Sequence, residues 1–457
     1  MLKAVFFTGS LVLALSAAGH AQSPTAAQGD SGRHAQTAPS SWTSHFQATV
    51  IAQKHSAFKA KYSGANSLAD SAEPYALSLT STLFLGRRLW KGGAFYLNPE
   101  VSGGKGLSFA KGVAGALNGE TYRVGTAEPK IFIGRAYYQQ HIRLFNSAYS
   151  SVSDGVNQIA DQVPQSRITI SAGKFAVSDF FDNNSYSKDT RTQFFNWSAW
   201  ANGAWDYPAN TRGYTMGLVT EFFTPGWSAR FATVAVPRKA NGSVMEYSQK
   251  AHSETFEIAH DLKMGNRPGA VRLLVYSNST RSPSYADAIN ALKNHDITLL
   301  NVVAGNAEGK AKTRRKLGIG LNFEQELGTD IGVFSRIGWN DGKNATWAFT
   351  EIDRTINAGI SVKGTGWNRA DDVFGLCGIM NGLSGPHRRF LQAGGYGFII
   401  GDGALNYAPE QIIEAFYSAR LTAFFRLSLD YQFVRNPAYN HDRGPVNVVA
   451  VRGHVSF

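Results

Sequence analysis

The chain has 457 residues, a formal net charge of +12, 47 glycines, 12% aromatic residues and one cysteine, Cys377. The lone cysteine excludes an intrachain disulfide framework and reads as a small packed residue. The 45 lysines and arginines are scattered along the chain, which argues against a nucleic-acid patch and for a diffuse internal field.

Lys3, the apolar stretch Val5 to Ala18 and the small residues Gly19-His20-Ala21 predict a secretory signal peptide over 1–21. Gln22 then becomes the mature N-terminus, and the net charge falls by one with Lys3. No later run reaches about 18 apolar residues, so no membrane helix is expected. Residues 22–41, rich in Ala, Gln, Ser, Pro and Gly, read as a flexible leader.

From Trp42 onward one unit recurs: about ten residues of period-2 alternation, then a turn. Strands are expected near 45–53, 75–88, 94–102, 130–143, 166–177, 212–223, 227–236 and 252–262. Eight more follow near 270–279, 315–326, 330–340, 347–363, 370–380, 409–420, 424–434 and 446–457. Leu77, Leu79, Leu83 and Leu85 oppose Ser78, Thr80, Thr82 and Arg88. Leu317, Ile319, Leu321 and Phe323 oppose Lys316, Asn322 and Glu324. Phe425, Leu427, Leu429, Tyr431 and Phe433 oppose Arg426, Ser428, Asp430 and Gln432.

Alternation fits a soluble barrel with a greasy centre and a membrane barrel with a greasy exterior. The connections decide. Short ones (Thr224-Pro225-Gly226, 327–330, 420–423) alternate with long ones (178–211, 280–314, 381–408), as in membrane barrels. Trp90, Phe95, Trp227, Trp339, Trp347 and Tyr431 sit near strand ends, as interfacial girdles do. The fold expected is therefore all-β: a transmembrane antiparallel barrel of about sixteen strands around a water-filled lumen, spanning 42–457, in the cell outer membrane. One residue fits poorly. Arg354 shares parity with Ile352, Ile356 and Ala358, so it must lie beyond the hydrocarbon, snorkel or mark a bulge.

Within this frame Glu100, Arg135, Arg230, Glu257, Arg272, Glu324, Arg336, Glu414, Arg426 and Asp430 face the lumen. Mixed charges across a wet lumen arrange water and solute and set ion preference. Arg336→Ala and Arg426→Ala are expected to change conductance more than stability. The stretch 173–206 adds Asp179, Asp182, Asp189, Arg191 and Asn196 among aromatics, a set of forked donors, acceptors and flat rings suited to sugars. It either folds inward as a constriction or braces itself outside the pore through turn-capping aspartates; a Ca²⁺ site from these carboxylates is a further option. Ser284 to Leu292 reads as a capped helix in a long loop, acting as a lid or packing element. No Walker loop, G-x-S-x-G elbow or H-E-x-x-H pair occurs, and the 11 histidines show no ligand spacing. No enzyme, cofactor or metal is expected.

Several stretches resemble the carbohydrate-selective porins of the OprB type: Tyr62 to Leu68, Asn98-Pro99-Glu100, 173–206, Asn340-Asp341-Gly342, Ala348 to Arg354, Asn381 to His387 and Asn436 to Val446. The terminal Phe457 resembles an outer-membrane assembly signal. The resemblance spans most of 45–457. It implies a sixteen-stranded barrel, a lumen narrowed by arginine and acidic residues, and passive diffusion of glucose and related sugars. Small sugars and outer-membrane lipid are then the partners, with the barrel either a monomer or a homotrimer. An anion or acidic-sugar channel is the alternative that the positive charge suggests; a structural or polysaccharide-secretion component is another.

Overall fold

The computed structural model describes residues 40–122 and 127–457; the expected signal peptide and almost all of the expected leader lie outside them. Among the described residues sixteen antiparallel strands close into one barrel. The first eight are Trp42–His55, Glu73–Trp90, Gly93–Gly104, Lys130–Arg143, Arg167–Phe175, Thr215–Thr224, Trp227–Val234 and His252–Met264. The second eight are Arg267–Thr280, Arg314–Glu326, Ile331–Asn340, Arg354–Gly364, Arg369–Gly382, Glu410–Arg420, Phe425–Arg435 and Val446–Ser456. The last pairs with the first, Ser456 opposite Gln47 and Val448 opposite His55. Closure leaves no strand edge, which is what allows a sheet to sit in hydrocarbon.

The alternation sorts as expected. Leu317, Ile319 and Leu321 point outward and are exposed, while Lys316, Asn322 and Glu324 are buried inside. Trp90, Phe95, Trp227, Trp339 and Tyr431 are exposed on the outside. Cys377 is a buried free thiol on the inner face.

Two expectations need correction. The strand expected over 347–363 begins only at Arg354, because residues 347–353 turn inward. Trp347 is consequently no girdle residue: it is 1% exposed and its indole N–H donates to the Pro237 carbonyl at 2.6 Å. The odd parity of Arg354 has the same origin. It sits at the long-loop rim, stacks 5.0 Å over Trp339 and donates to the Asp353 carbonyl at 2.7 Å. The charge is thus kept out of the hydrocarbon.

The long-loop end is roofed by helices. Tyr285–Lys293 is the one anticipated, with Ser284 Oγ accepting from the Asp287 N–H at 3.0 Å. Ile297–Val303 and Gly385–Gln392 join it. Tyr285 stacks on His387 at 4.3 Å, so the anticipated helix is a packing element. At the other end the turns are tight, except for residues 144–166, which carry a small hairpin of Tyr149–Val152 and Asp161–Pro164.

Candidate functional site

The inner wall supplies an ion-pair ladder. Arg230 sits between Glu221 at 3.0 Å and Glu257 at 3.2 Å. Arg272 meets Glu324 at 3.1 Å. Neighbouring strands bring these groups together because inward residues at paired positions share one face: Glu257 lies opposite Arg230 in the ladder, as Glu221 does on the other side.

Residues 176–214 cross the lumen and are tied to the wall nearly all the way round. Arg135 holds Asp179 through two bonds of 2.6 Å. Asp182 accepts from Arg336 Nε at 3.0 Å, from Asn322 Nδ2 at 2.5 Å and from the Asn202 N–H at 2.8 Å. Arg336, 0% exposed, also donates to the Ser187 carbonyl at 2.7 Å. Arg191 reaches Glu120 at 3.2 Å and Glu100 at 3.4 Å. Glu414 accepts the N–H groups of Phe195 and Asn196, at 2.5 and 3.1 Å. Asn196 donates onward to Gln432 at 3.0 Å, and Arg452 donates to the Gln193 carbonyl at 2.7 Å. Charge-assisted bonds to backbone and carboxylate are the strong kind, and breaking one partner of a buried set leaves the other unpaired.

Glycines make room for this contact. Gly320 and Gly338 are register partners, and a Cβ at either would fall 2.0 Å from the Asn202 side chain. A glycine inside a strand marks such a close approach.

A second anchor lies toward the long-loop end. Asp206 accepts the N–H groups of Trp347, Ala348 and Phe349 at 3.1, 2.9 and 3.0 Å, and Lys316 lies 3.4 Å away. Around it Trp197 packs on Trp200 at 4.3 Å and on Phe349 at 4.3 Å, and Tyr207 stacks on Phe349 at 4.5 Å. Buried carboxylates bind the remaining loops in the same manner. Glu351 accepts from the N–H groups of Ile399 and Ile400, and Glu410 from those of Ala114, Gly115 and Ala438. Asp353 is bonded to His387 Nδ1 and to the Ser384 N–H, both at 2.9 Å. Burial works to raise the Asp353 carboxyl, but His387 and these hydrogen bonds hold it down at about 2. Sequence reasoning gave no site role to Asp206, Glu351, Asp353, His387 and Glu410, although the first four lie in stretches that resemble the family; for the carboxylates, their place among apolar and aromatic residues was the signal.

A family model described as the carbohydrate-selective porin, OprB family, matches residues 73–457. The chain belongs to this family. It is an outer-membrane porin of the carbohydrate-selective class. Among solved structures, Pseudomonas putida OprB at high pH aligns with a TM-score of 0.66 at 16% identity, covering 91% of this porin and 94% of that chain. The low-pH structure of the same protein aligns at 0.49 and 11% identity, covering 91% and 93%. Pseudomonas aeruginosa OccK2 (OpdF) in complex with glucuronate aligns at 0.44 and 8% identity, covering 91% and 98%. At these identities the high-pH match shows the fold alone. No curated protein matches the chain.

The candidate residues of this porin separate into two groups. Glu100, Arg135, Asp182, Arg191, Asn196, Glu257, Arg272, Glu324, Arg336, Glu414 and Asp430 are buried and hold the crossing segment or the wall. Asp430 accepts from Gln432 Nε2 at 3.0 Å. Asp179, Asp189 and Arg230 keep access to water. Asp189 caps its own turn through the Arg191 N–H at 2.9 Å, the bracing role, but inside the barrel. Arg426 stands apart at the short-turn rim, donating to the Asp371 carbonyl at 2.9 Å. Asp179, Asp182 and Asp189 take three different sets of partners, and no metal-holding trio of His, Cys, Asp or Glu occurs among the described residues. Along the crossing segment Asn183, Ser185 and Gln193 also keep access to water, while the Lys188 ammonium donates to the Phe181 and Asp182 carbonyls at 2.8 and 3.2 Å; they lie in the stretch 173–206 but were not among its candidate residues.

Proposed function

We propose that the porin passes small neutral sugars such as glucose by passive diffusion down a gradient. They slide along the water-facing edge of the crossing segment, made of Asp179, Asn183, Ser185, Asp189 and Gln193. Sugar hydroxyls need both donors and acceptors at one edge, and this edge offers both. The observation that carries the neutral preference is the pairing of charge. Arg135, Arg191, Arg230, Arg272 and Arg336 each meet a carboxylate, so these five arginines add little net field to draw anions. The second reading, an anion or acidic-sugar channel, rests on the mature net charge of +11, the +12 of the full chain less Lys3. Each barrel holds its own path, so the reading serves a monomer and a homotrimer alike. Residues 1–21 are proposed to leave on export, with 22–41 as a leader.

Proteoliposome swelling separates the readings. Glucose is expected to enter faster than glucuronate of similar size, and reversal potentials in salt gradients are expected to show weak ion preference. Strong anion preference with no effect of glucose on the current would sink the sugar reading. Asn183→Ala is expected to slow glucose entry with the barrel intact.

A further inference from the structure

The connection 144–166 breaks the rule of tight turns at its end of the barrel, and its path is informative. Beyond the paired strands Tyr149–Val152 and Asp161–Pro164, the tip turns back into the barrel. Gly155 and Gln158 close it with reciprocal backbone bonds of 3.0 Å. Its partners are inward residues of the first three strands. Asp154 meets His45 at 3.1 Å, Asn157 accepts from Asn98 Nδ2 at 2.9 Å, and Asp161 meets Arg88 at 3.1 Å. Arg88 also donates to the Ala160 carbonyl at 2.9 Å. Ile159 and Ala160 are buried, Ile159 in the same cluster as Tyr96, whereas Asp154, Val156 and Gln158 are exposed. One side of the tip therefore lies on the wall and the other faces the aqueous exit.

The depth of this insertion is set by one register pair. Asn98 lies opposite Arg135. Asn98 holds the hairpin tip, and Arg135 holds Asp179 of the segment that enters from the opposite end. The two invading segments thus meet at neighbouring wall residues and fill the lumen along this sector from both sides.

We propose that the hairpin tip is a second narrowing at the exit of the pore, with Asp154, Val156 and Gln158 setting the size limit for solute that has passed the crossing segment. This rests on the pore reading and not on the preference for sugars, because the current carried by small ions reports exit width whatever solute is favoured. A packed hairpin of this kind narrows by sterics and displaces solute toward the far side of the barrel.

The test uses the full-length porin in planar bilayers with potassium chloride and in liposomes swollen by sugars of rising size. Val156→Cys changes one exposed side chain, and the native Cys377 is buried and does not compete. A charged methanethiosulfonate reagent added from the short-turn side is expected to lower the single-channel current of this variant and leave the parent unchanged. Replacing 150–161 by a short Gly-Ser link is expected to raise the current and shift the swelling cut-off to larger sugars. Complete labelling of Val156→Cys without a change in current would overturn the proposal, even if the shortened barrel failed to fold. A folded shortened barrel with parental current and cut-off would overturn it equally, while leaving the sugar reading intact.

Discussion

The strand Phe425–Arg435 and the crossing segment 176–214 are both rich in large apolar residues, yet they use them in opposite directions. On the strand Leu429 is 58% exposed on the outer face, where only lipid satisfies it. On the crossing segment Trp197 is 0% exposed, enclosed by Trp200, Tyr207 and Phe349. The wall is held by continuous ladder bonds and by the penalty for turning a charge toward lipid. The crossing segment has no ladder and is held by buried charges that collect its backbone N–H and carbonyl groups. Apolar residues therefore mean two different solvents in one molecule, and charged residues mean two different jobs.

The sharpest way to break this comparison is to remove a strut. Arg336→Ala leaves Asp182 buried and unpaired, which costs about 3–5 kcal/mol for a buried pair. Urea unfolding is expected to register that loss, with single-channel currents larger and noisier as the segment loosens. With the Asp182 ion pair in view, Arg336→Ala is expected to change stability as well as conductance, where the sequence alone predicts the larger change in conductance. Arg426, at the rim, is expected to alter neither by much, and an unaltered midpoint in Arg336→Ala would end the strut picture.

Next in size is a charge on the outer wall. Leu429→Arg is expected to cost about 2–4 kcal/mol near the bilayer midplane, measured by refolding into lipid vesicles. Replacing Trp205 inside the barrel by Ala should cost a similar amount in vesicles and in detergent, because its surroundings are protein in both. If Leu429→Arg were harmless in vesicles, the outer face would not be the lipid face.

A third test uses acid on the roof. Asp353 binds His387 and stays ionised to about pH 2, against 3.8 for a free carboxyl. Its folded value is depressed, so its contribution is present above pH 3.8 and is lost as the pH falls toward 2. The shift corresponds to about 2 kcal/mol. Proteolysis of the loop 383–409 is expected to accelerate across that window in the parent, while Asp353→Asn is cleaved faster at neutral pH and shows no such step. The smallest effect belongs to Ser284→Ala, which removes one helix cap worth about 1 kcal/mol and is expected to leave sugar entry unchanged.

Much of the wall was legible in the chain. Period-2 alternation needs only near neighbours, so fifteen of the sixteen strands could be placed within a few residues at both ends from their own stretches of sequence. The one boundary that failed, ahead of Arg354, failed because Trp347 to Asp353 alternate plausibly but are claimed by Asp206 and by each other's loops. The hairpin at 149–164 left only a weak mark, since its strands are four residues long and lie outside the main ladder. Inward glycines such as Gly320 and Gly338 did carry a signal for a segment lying against the wall, though not for which one.

What the sequence by itself determined is the barrel and the sidedness of its strands, because lipid and water act on every residue of a strand locally and a shift by one position exposes the whole wrong face. What only the tertiary structure decided is which inward charges are struts and which meet solute. Asp182 and Arg336 stand 154 positions apart, and no local pattern in either stretch records that the other will neutralise it. Pairing is a property of the closed barrel, since only closure brings the crossing segment within reach of strands on nearly every side.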